Sequence, residues 1–328
     1  MPRFNYIHLS DTHLCVQPNR RSAQQLIRRN VRYALDTAWQ QSHTLGFLSV
    51  IRPASYLPEI AAGAAQFCFE RFQILDGIIL TGDLATTGII TDINAAHSFV
   101  TAPATAGFYA GLRTPTLGFM GADIYVVPGN HDKFSDSKGT PNCKNFELTF
   151  EANMPNLNSG VGHWVVQKQS KHLGFVYADF CLQSRLDAED KVVGAFGQGR
   201  VYEDVYSELT KRTLQLRGSF RNIPIVWIIH FAPFDCGYGL KLNEFDKLVQ
   251  GALRLKVAAT LCGHTHKASK TTYDDHVIYC GGSAGCVDSE NDSRIHVIQF
   301  DVDEQCRISR DNYIWDRGLH EFIHHSAD

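Results

Sequence analysis

Asn5-Tyr6-Ile7-His8-Leu9-Ser10-Asp11-Thr12-His13-Leu14 opens as an apolar run and breaks off into a carboxylate and an imidazole two residues apart. A run this short, bounded by polar residues, is too brief for a helix and reads as a buried strand from Asn5 to Ser10. The same construction recurs along the chain. Gly77 to Thr81 ends in Thr81-Gly82-Asp83, and Ile124 to Val127 ends in Pro128-Gly129-Asn130-His131-Asp132. Ile225 to His230 ends at its own histidine, and Ala258 to Cys262 leads into Gly263-His264-Thr265-His266. Gly174 to Asp179, Val277 to Cys280 and His296 to Asp301 read as further strands. Between them, helical spacing marks Ser22 to Trp39, Pro58 to Ile74, Glu203 to Leu216 and Glu244 to Leu255, the last with Asn243 as its N-cap. Strand alternating with helix specifies an α/β architecture.

In open α/β sheets, ligands bind beyond the carboxyl ends of strands, so polar clusters far apart in sequence can converge on one rim. Setting His131 aside, these clusters offer Asp11, His13, Asp83, Asn130, His230, His264 and His266. That is enough for two metal ions sharing a carboxylate. Mixed nitrogen and oxygen donors suit Mn, Fe or Zn, whereas a pure Ca or Mg site would want more oxygen. Two such ions about 3.5–4 Å apart can bridge a water, lower its pKa and clamp phosphoryl oxygens. The donor set therefore predicts hydrolysis of a phosphate ester.

The ordered series Asp11-x-His13, Gly82-Asp83, Gly129-Asn130-His131-Asp132, His230 and Gly263-His264-x-His266 resembles the five-block signature of the calcineurin-like metallophosphoesterase superfamily. Any one block occurs by chance in many proteins, but five in order, each behind a strand, are specific. The resemblance spans roughly Phe4 to Lys267. It implies two mixed β-sheets packed as a sandwich flanked by helices, four layers with a dimetal site on the rim. Carried over residue by residue, it implies that Asp11, His13 and His266 hold one ion, that Asn130, His230 and His264 hold the other, and that Asp83 bridges both. A metal-bridging hydroxide would attack phosphorus. His131 resembles the family histidine that contacts substrate phosphate and protonates the leaving oxygen. Leu9 to Leu14 and Gly263 to His266 look most like the bacterial class III cyclic-nucleotide phosphodiesterases, which makes cyclic or other small nucleotides the implied substrates. Gly82-Asp83-Leu84-Ala85 lacks the acidic and arginine pattern of the Ser/Thr protein phosphatases. A repair-type nuclease sharing the blocks, and a non-catalytic scaffold keeping the fold, are the alternatives.

Composition narrows the partners. The 328 residues carry 31 Lys+Arg against 34 Asp+Glu, a net charge of −3, which argues against a nucleic-acid or anionic-membrane binder. Hydrophobic residues at 44% and charged residues at 20% exclude disorder. One domain over residues 1–328 is expected. Leu84 to Ala122, rich in Ala, Thr and Gly, reads either as a cap or loop insertion near the site or as a helix around Ile93 to Val100 packed on the sheet. Nine cysteines are an odd number with no C-x-x-C pair, and most read as small buried hydrophobes in a reducing compartment. No leader or bilayer-length apolar run is legible, so a cytoplasmic protein is expected.

Several residues keep two readings. Asp132 either orients the His131 ring or caps a loop. The arginines between Arg20 and Arg32 either bind an anionic substrate arm or form a solvated helix face. Gly281 to Gly285 either lets main-chain N–H groups approach phosphate or makes a tight turn. Cys15 lies close in sequence to the first donor pair. His8, His43, His97, His163, His172, His276 and His296 match no block and read as structural. His320, His324 and His325 read as a tail beyond the last strand.

Overall fold

The apolar runs form strands because they are covered on both faces. Tyr6, Ile7 and Leu9 are fully buried in β1 (Arg3–Leu9), and all of Gly77–Leu80 in β2 is buried. A computed structural model describes residues 2–14, 58–85, 88, 90–102, 106–109, 112–114, 116–120, 122–133, 144–181, 199–236, 242–285, 293–302 and 306–326. The expected helix at Ser22 to Trp39, the Arg20 to Arg32 cluster and Cys15 lie outside the described residues.

In the first sheet, β1 runs parallel to β2, which runs parallel to β5 (Ile124–Val126). On the other side, β14 (Arg294–Val302), β15 (Cys306–Asp316) and β16 (Glu321–His325) add an antiparallel meander, giving the order β16-β15-β14-β1-β2-β5. In the second sheet, β7 (Lys171–Ala178), β9 (Ile225–Ile228), β11 (Ala259–Cys262) and β13 (His276–Cys280) are parallel neighbours. Antiparallel edge strands close it, β6 (Val161–Lys168) beside β7 and β12 (Ser269–Tyr273) beside β13. Two small pairs stand apart: β3 (Ala106–Tyr109) with β4 (Leu112–Thr114), and β8 (Gly199–Arg200) with β10 (Leu242–Asn243).

Period two along the strands of the second sheet feeds two different cores. Leu173, Phe175 and Tyr177 of β7 face the first sheet's cluster, while Val176 and Ala178 face the helices behind. Between the sheets, Phe175 meets Tyr6 edge-on at 5.1 Å and Phe300 at 5.8 Å, and it stacks on Trp164 at 4.7 Å. Outside the first sheet lies α1 (Pro58–Arg71), whose Phe67 ring sits 4.6 Å from Tyr313 of β15. Outside the second lie α4 (Glu203–Ser219) and α5 (Phe245–Arg254), numbered after α2 (Ile90–Thr101) and α3 (Lys144–Thr149). Leu209, Leu216, Leu248 and Ala252 cover that face, and Trp227 donates to Thr213 Oγ1 at 2.9 Å. The result is the expected four-layer arrangement of helix, sheet, sheet and helix.

Several expectations need correction. Asn243 belongs to β10, and the residue at the start of α5 is Glu244, in a left-handed conformation with φ 65° and no side-chain cap. His324 and His325 are not a loose tail: β16 pairs them with Tyr313 and Asn312 of β15. Within Leu84 to Ala122, α2 is the helix anticipated near Ile93 to Val100, and it buries Ile93, Ala96, Phe99 and Val100 in the main core.

Candidate metal centre

Every predicted donor follows the carboxyl end of a parallel strand, and the backbone turns sharply where it does. Asp11, His13, Asp83, His264 and His266 have φ of 54°, 48°, 52°, 72° and 55°. Positive φ is uncommon outside glycine, and Asp, Asn and His are the residues most enriched there. These left-handed steps stop the strands and swing the side chains onto the rim. Main-chain bonds keep the departing loops together: Asp11 N–H donates to Gly82 O at 3.0 Å, His13 N–H to Asp83 O at 3.0 Å, and Gly263 N–H to His230 O at 2.8 Å. Two glycines permit the close approach. A Cβ on Gly129 would strike Asp83 Oδ1, and one on Gly82, at φ 97°, would strike the His230 ring and Gly129.

The donor atoms form two groups with one oxygen in common. In the first, Asp11 Oδ1 lies 3.4 Å from His266 Nε2 and 3.8 Å from His13 Nε2, and the two nitrogens are 3.2 Å apart. In the second, His230 Nε2 lies 3.1 Å from Asn130 Oδ1 and 3.1 Å from His264 Nδ1. Asp83 Oδ2 belongs to both, 3.9 Å from His13 Nε2 and 3.4 Å from His230 Nε2. The other carboxylate oxygens are held in place. Asp83 Oδ1 accepts the His131 N–H at 2.8 Å, and Asp11 Oδ2 accepts Ser10 Oγ–H at 2.5 Å and the His264 N–H at 3.0 Å. His131 is half-buried, its ring edge-on to His13 at 4.8 Å, and a ring nitrogen of His131, one of His13 and a carboxylate oxygen of Asp83 lie within 4.8 Å of one another.

This arrangement fits cations. His230 donates Nδ1–H to Thr81 O at 2.7 Å, so in the neutral ring Nε2 carries a lone pair aimed at two oxygens and a nitrogen. Lone pairs converge stably only around a positive charge. Without metal a proton serves: burial alone would lower His230, but the Asp83 carboxylate reverses this and raises it from 6.5 to about 9. Burial would likewise raise Asp11, but His266 and His13 outweigh it and hold its carboxyl well below the ordinary range. Asp11 Oδ1 is buried and accepts no hydrogen bond. The spacings of 3.1–3.4 Å around His230 and between Asp11 and His266 match the edges of a shell with bonds of about 2.0–2.2 Å, while His13 Nε2 stands further off, 3.8 Å from Asp11 Oδ1 and 3.9 Å from Asp83 Oδ2.

The structure thus brings together Asp11, His13, Asp83, Asn130, His230, His264 and His266, with His131 beside them. Asp132 settles as a loop tie: its carboxylate accepts N–H groups from Ala85 at 2.8 Å, Gly129 at 2.9 Å and Leu84 at 3.2 Å. In the Gly281 to Gly285 stretch the main-chain N–H groups are taken up within the fold, that of Gly281 by Cys262 O at 2.7 Å, that of Gly282 by His296 Nε2 at 3.2 Å and that of Ala284 by Ser10 O at 2.8 Å. Sequence reasoning missed Ser10 on Asp11, and Ser283, whose Oγ donates to Asp11 O at 2.7 Å. Ser10 stands next to Asp11 in the sequence, whereas no spacing rule exposes Ser283, which reaches it from 272 residues away.

The family model for calcineurin-like phosphoesterase matches residues 4–268, which contain all five blocks. The chain belongs to this family. No curated protein matches its sequence. Among solved structures, this calcineurin-like phosphoesterase is similar to GAP50, the anchor in the inner membrane complex of Plasmodium, at 13% identity with a TM-score of 0.54 over 99% of this chain and 88% of that one. It is also similar to the purple acid phosphatase PPD1 from yellow lupin seeds, at 10% identity with a TM-score of 0.52 over 98% of this chain and 53% of the lupin chain. At such identities these likenesses show the fold alone. As a member of the family the chain is a phosphoester hydrolase, and among the described residues no helix is long and apolar enough to cross a membrane.

Proposed function

We propose that the chain hydrolyses a small phosphate ester with two metal ions, Mn, Fe or Zn, one held by Asp11, His13 and His266, the other by Asn130, His230 and His264, and both by Asp83. The observation that carries this reading is Asp83 Oδ2 standing within 3.9 Å of His13 Nε2 and 3.4 Å of His230 Nε2. Ions at these donors acidify water and offset the charge on phosphoryl oxygens. The protein's own contribution begins with Thr81 O, which fixes the His230 tautomer, and with Ser10 and the His264 N–H, which fix Asp11. Hydrolysis breaks a P–O bond, and the departing alkoxide is basic. His131 is the group assigned to touch the phosphate and to give that oxygen a proton from its ring N–H.

Phosphodiesters of the cyclic-nucleotide class, or other small nucleotides, are the proposed substrates, and the cytoplasm is the proposed location. The complete donor set favours a catalyst over a scaffold, and the net charge of −3 disfavours a nuclease. The test loads the metal-stripped chain with Mn and assays a nitrophenyl phosphodiester, a nitrophenyl monoester and cyclic nucleotides. Turnover is expected and Asp83→Ala should abolish it, together with binding of at least one ion. An inert chain that binds two Mn would sink the reading.

A further inference from the structure

Lys133 lies outside the donor set, yet its side chain is only 1% exposed. Burying an ammonium costs several kcal/mol unless partners compensate, and an apolar side chain could fill the same space. Its partners come from elsewhere in the fold: Nζ donates to Asp179 Oδ2 at 2.9 Å, just past β7 in the second sheet, and to Glu147 Oε1 in α3. Burial alone would depress the lysine, but these carboxylates reverse that and raise it above its ordinary value, so the cation persists.

The connections close on the loop after β5. Lys133 ends a single 3-10 turn, His131–Lys133, and its N–H bonds to Asn130 O at 3.2 Å. Asp179 Oδ1 accepts the Cys181 N–H at 2.9 Å, and Cys181 Sγ–H donates to Pro128 O at 3.4 Å. Residues 179–181 of the second sheet therefore grip this first-sheet loop at both ends, Pro128 and Lys133. Asn130 and His131 lie between the grips. His230 and His264, which share a donor group with Asn130, also hang from the second sheet. We infer that Lys133 is a positioning residue: with Glu147 and Asp179 it sets the loop so that Asn130 Oδ1 meets His230 Nε2 and His131 stands beside His13 and Asp83. The inference rests on the proposed function only for what the loop is positioned to do. A directional ion pair fixes the angle of the turn, which an apolar contact leaves loose.

The test uses the full chain, stripped of metal, with Mn binding followed by calorimetry, folding by thermal melting, and turnover on a phosphodiester. Lys133→Met alone would strand two carboxylates, so the informative variant is Lys133→Met with Glu147→Gln and Asp179→Asn, which removes every charge and keeps the side-chain shapes. Its metal-free form is expected to melt as cooperatively as the parent, to bind one of two Mn about tenfold more weakly, and to lose about tenfold in kcat with KM within about twofold. Parental affinity for both ions and parental kcat would overturn the inference. Should the triple variant not fold, Glu147→Gln carries the same expectation at about threefold, and parental affinity there overturns it equally. If the parent binds two Mn and hydrolyses nothing, the esterase reading falls, and the affinity comparison still decides the role of Lys133.

Discussion

Asp83 divides its labour between two oxygens: Oδ1 takes the His131 N–H, and Oδ2 faces His13 and His230. The backbone of His131 is thus tied to a proposed ligand while its ring stays outside both main donor groups, so shortening the ring should separate binding from chemistry. His131→Ala is expected to lower kcat by about 10²–10⁴-fold while two Mn per chain are retained. Turnover assays paired with elemental analysis check this. Loss of an ion would instead make His131 a ligand. Asp132, one residue on, belongs to a different category, because its three N–H partners make it the tie between the loops after β2 and β5.

At the scale of elements, the parallel strands were legible, β5 at a sheet edge included, and the antiparallel edge strands were not. β2 and β9 are buried on both faces and read Gly-Ile-Ile-Leu and Ile-Val-Trp-Ile, and β1 and β11 are largely buried with only a few polar residues among the apolar ones, so all four read as short apolar runs. β12, reading Ser-Lys-Thr-Thr-Tyr, and β15, which alternates half-buried and exposed residues over much of its length, lie toward sheet edges where one face meets water. Such strands lack the apolar run used to find the others. The donors could be read because every one follows a parallel strand with an apolar run, whereas Lys133 and Ser283 act on partners remote in sequence and leave no spacing behind. Phe175 of β7 is the aromatic that most directly joins the two sheets, touching Tyr6, Trp164 and Phe300. Phe175→Ala should cost about 3–5 kcal/mol of unfolding free energy, measured by denaturant titration. A cost below about 1 kcal/mol would mean the sheets are held together elsewhere.

For the whole molecule, two sets of histidines oppose each other when metal is absent. Burial pushes His8, His13 and His264 from 6.5 to about 3, 4 and 3, so the folded chain refuses protons that the unfolded chain accepts. Stability is therefore lost as pH falls from about 6.5 toward 4. His230, raised to about 9, contributes stability that is complete below 6.5 and disappears as pH climbs through 9. Asp11 and Asp83, held below the ordinary carboxylate range, add a contribution lost only at more acidic pH. The melting temperature of the metal-free chain should peak near about pH 6.5–7, and a thermal scan from roughly pH 4 to 9.5 checks it. A melting temperature still rising at pH 9 would contradict the Asp83–His230 pairing. Five of the seven proposed ligands occupy left-handed backbone, and the residue types that accept that geometry most readily are aspartate, asparagine and histidine. Those are carriers of hard oxygen and borderline nitrogen, while the sulfur-bearing residues are not among them. Main-chain curvature thereby restricts the palette of elements this rim can host, and retuning it toward thiophilic ions such as copper(I) would require new loops rather than new side chains.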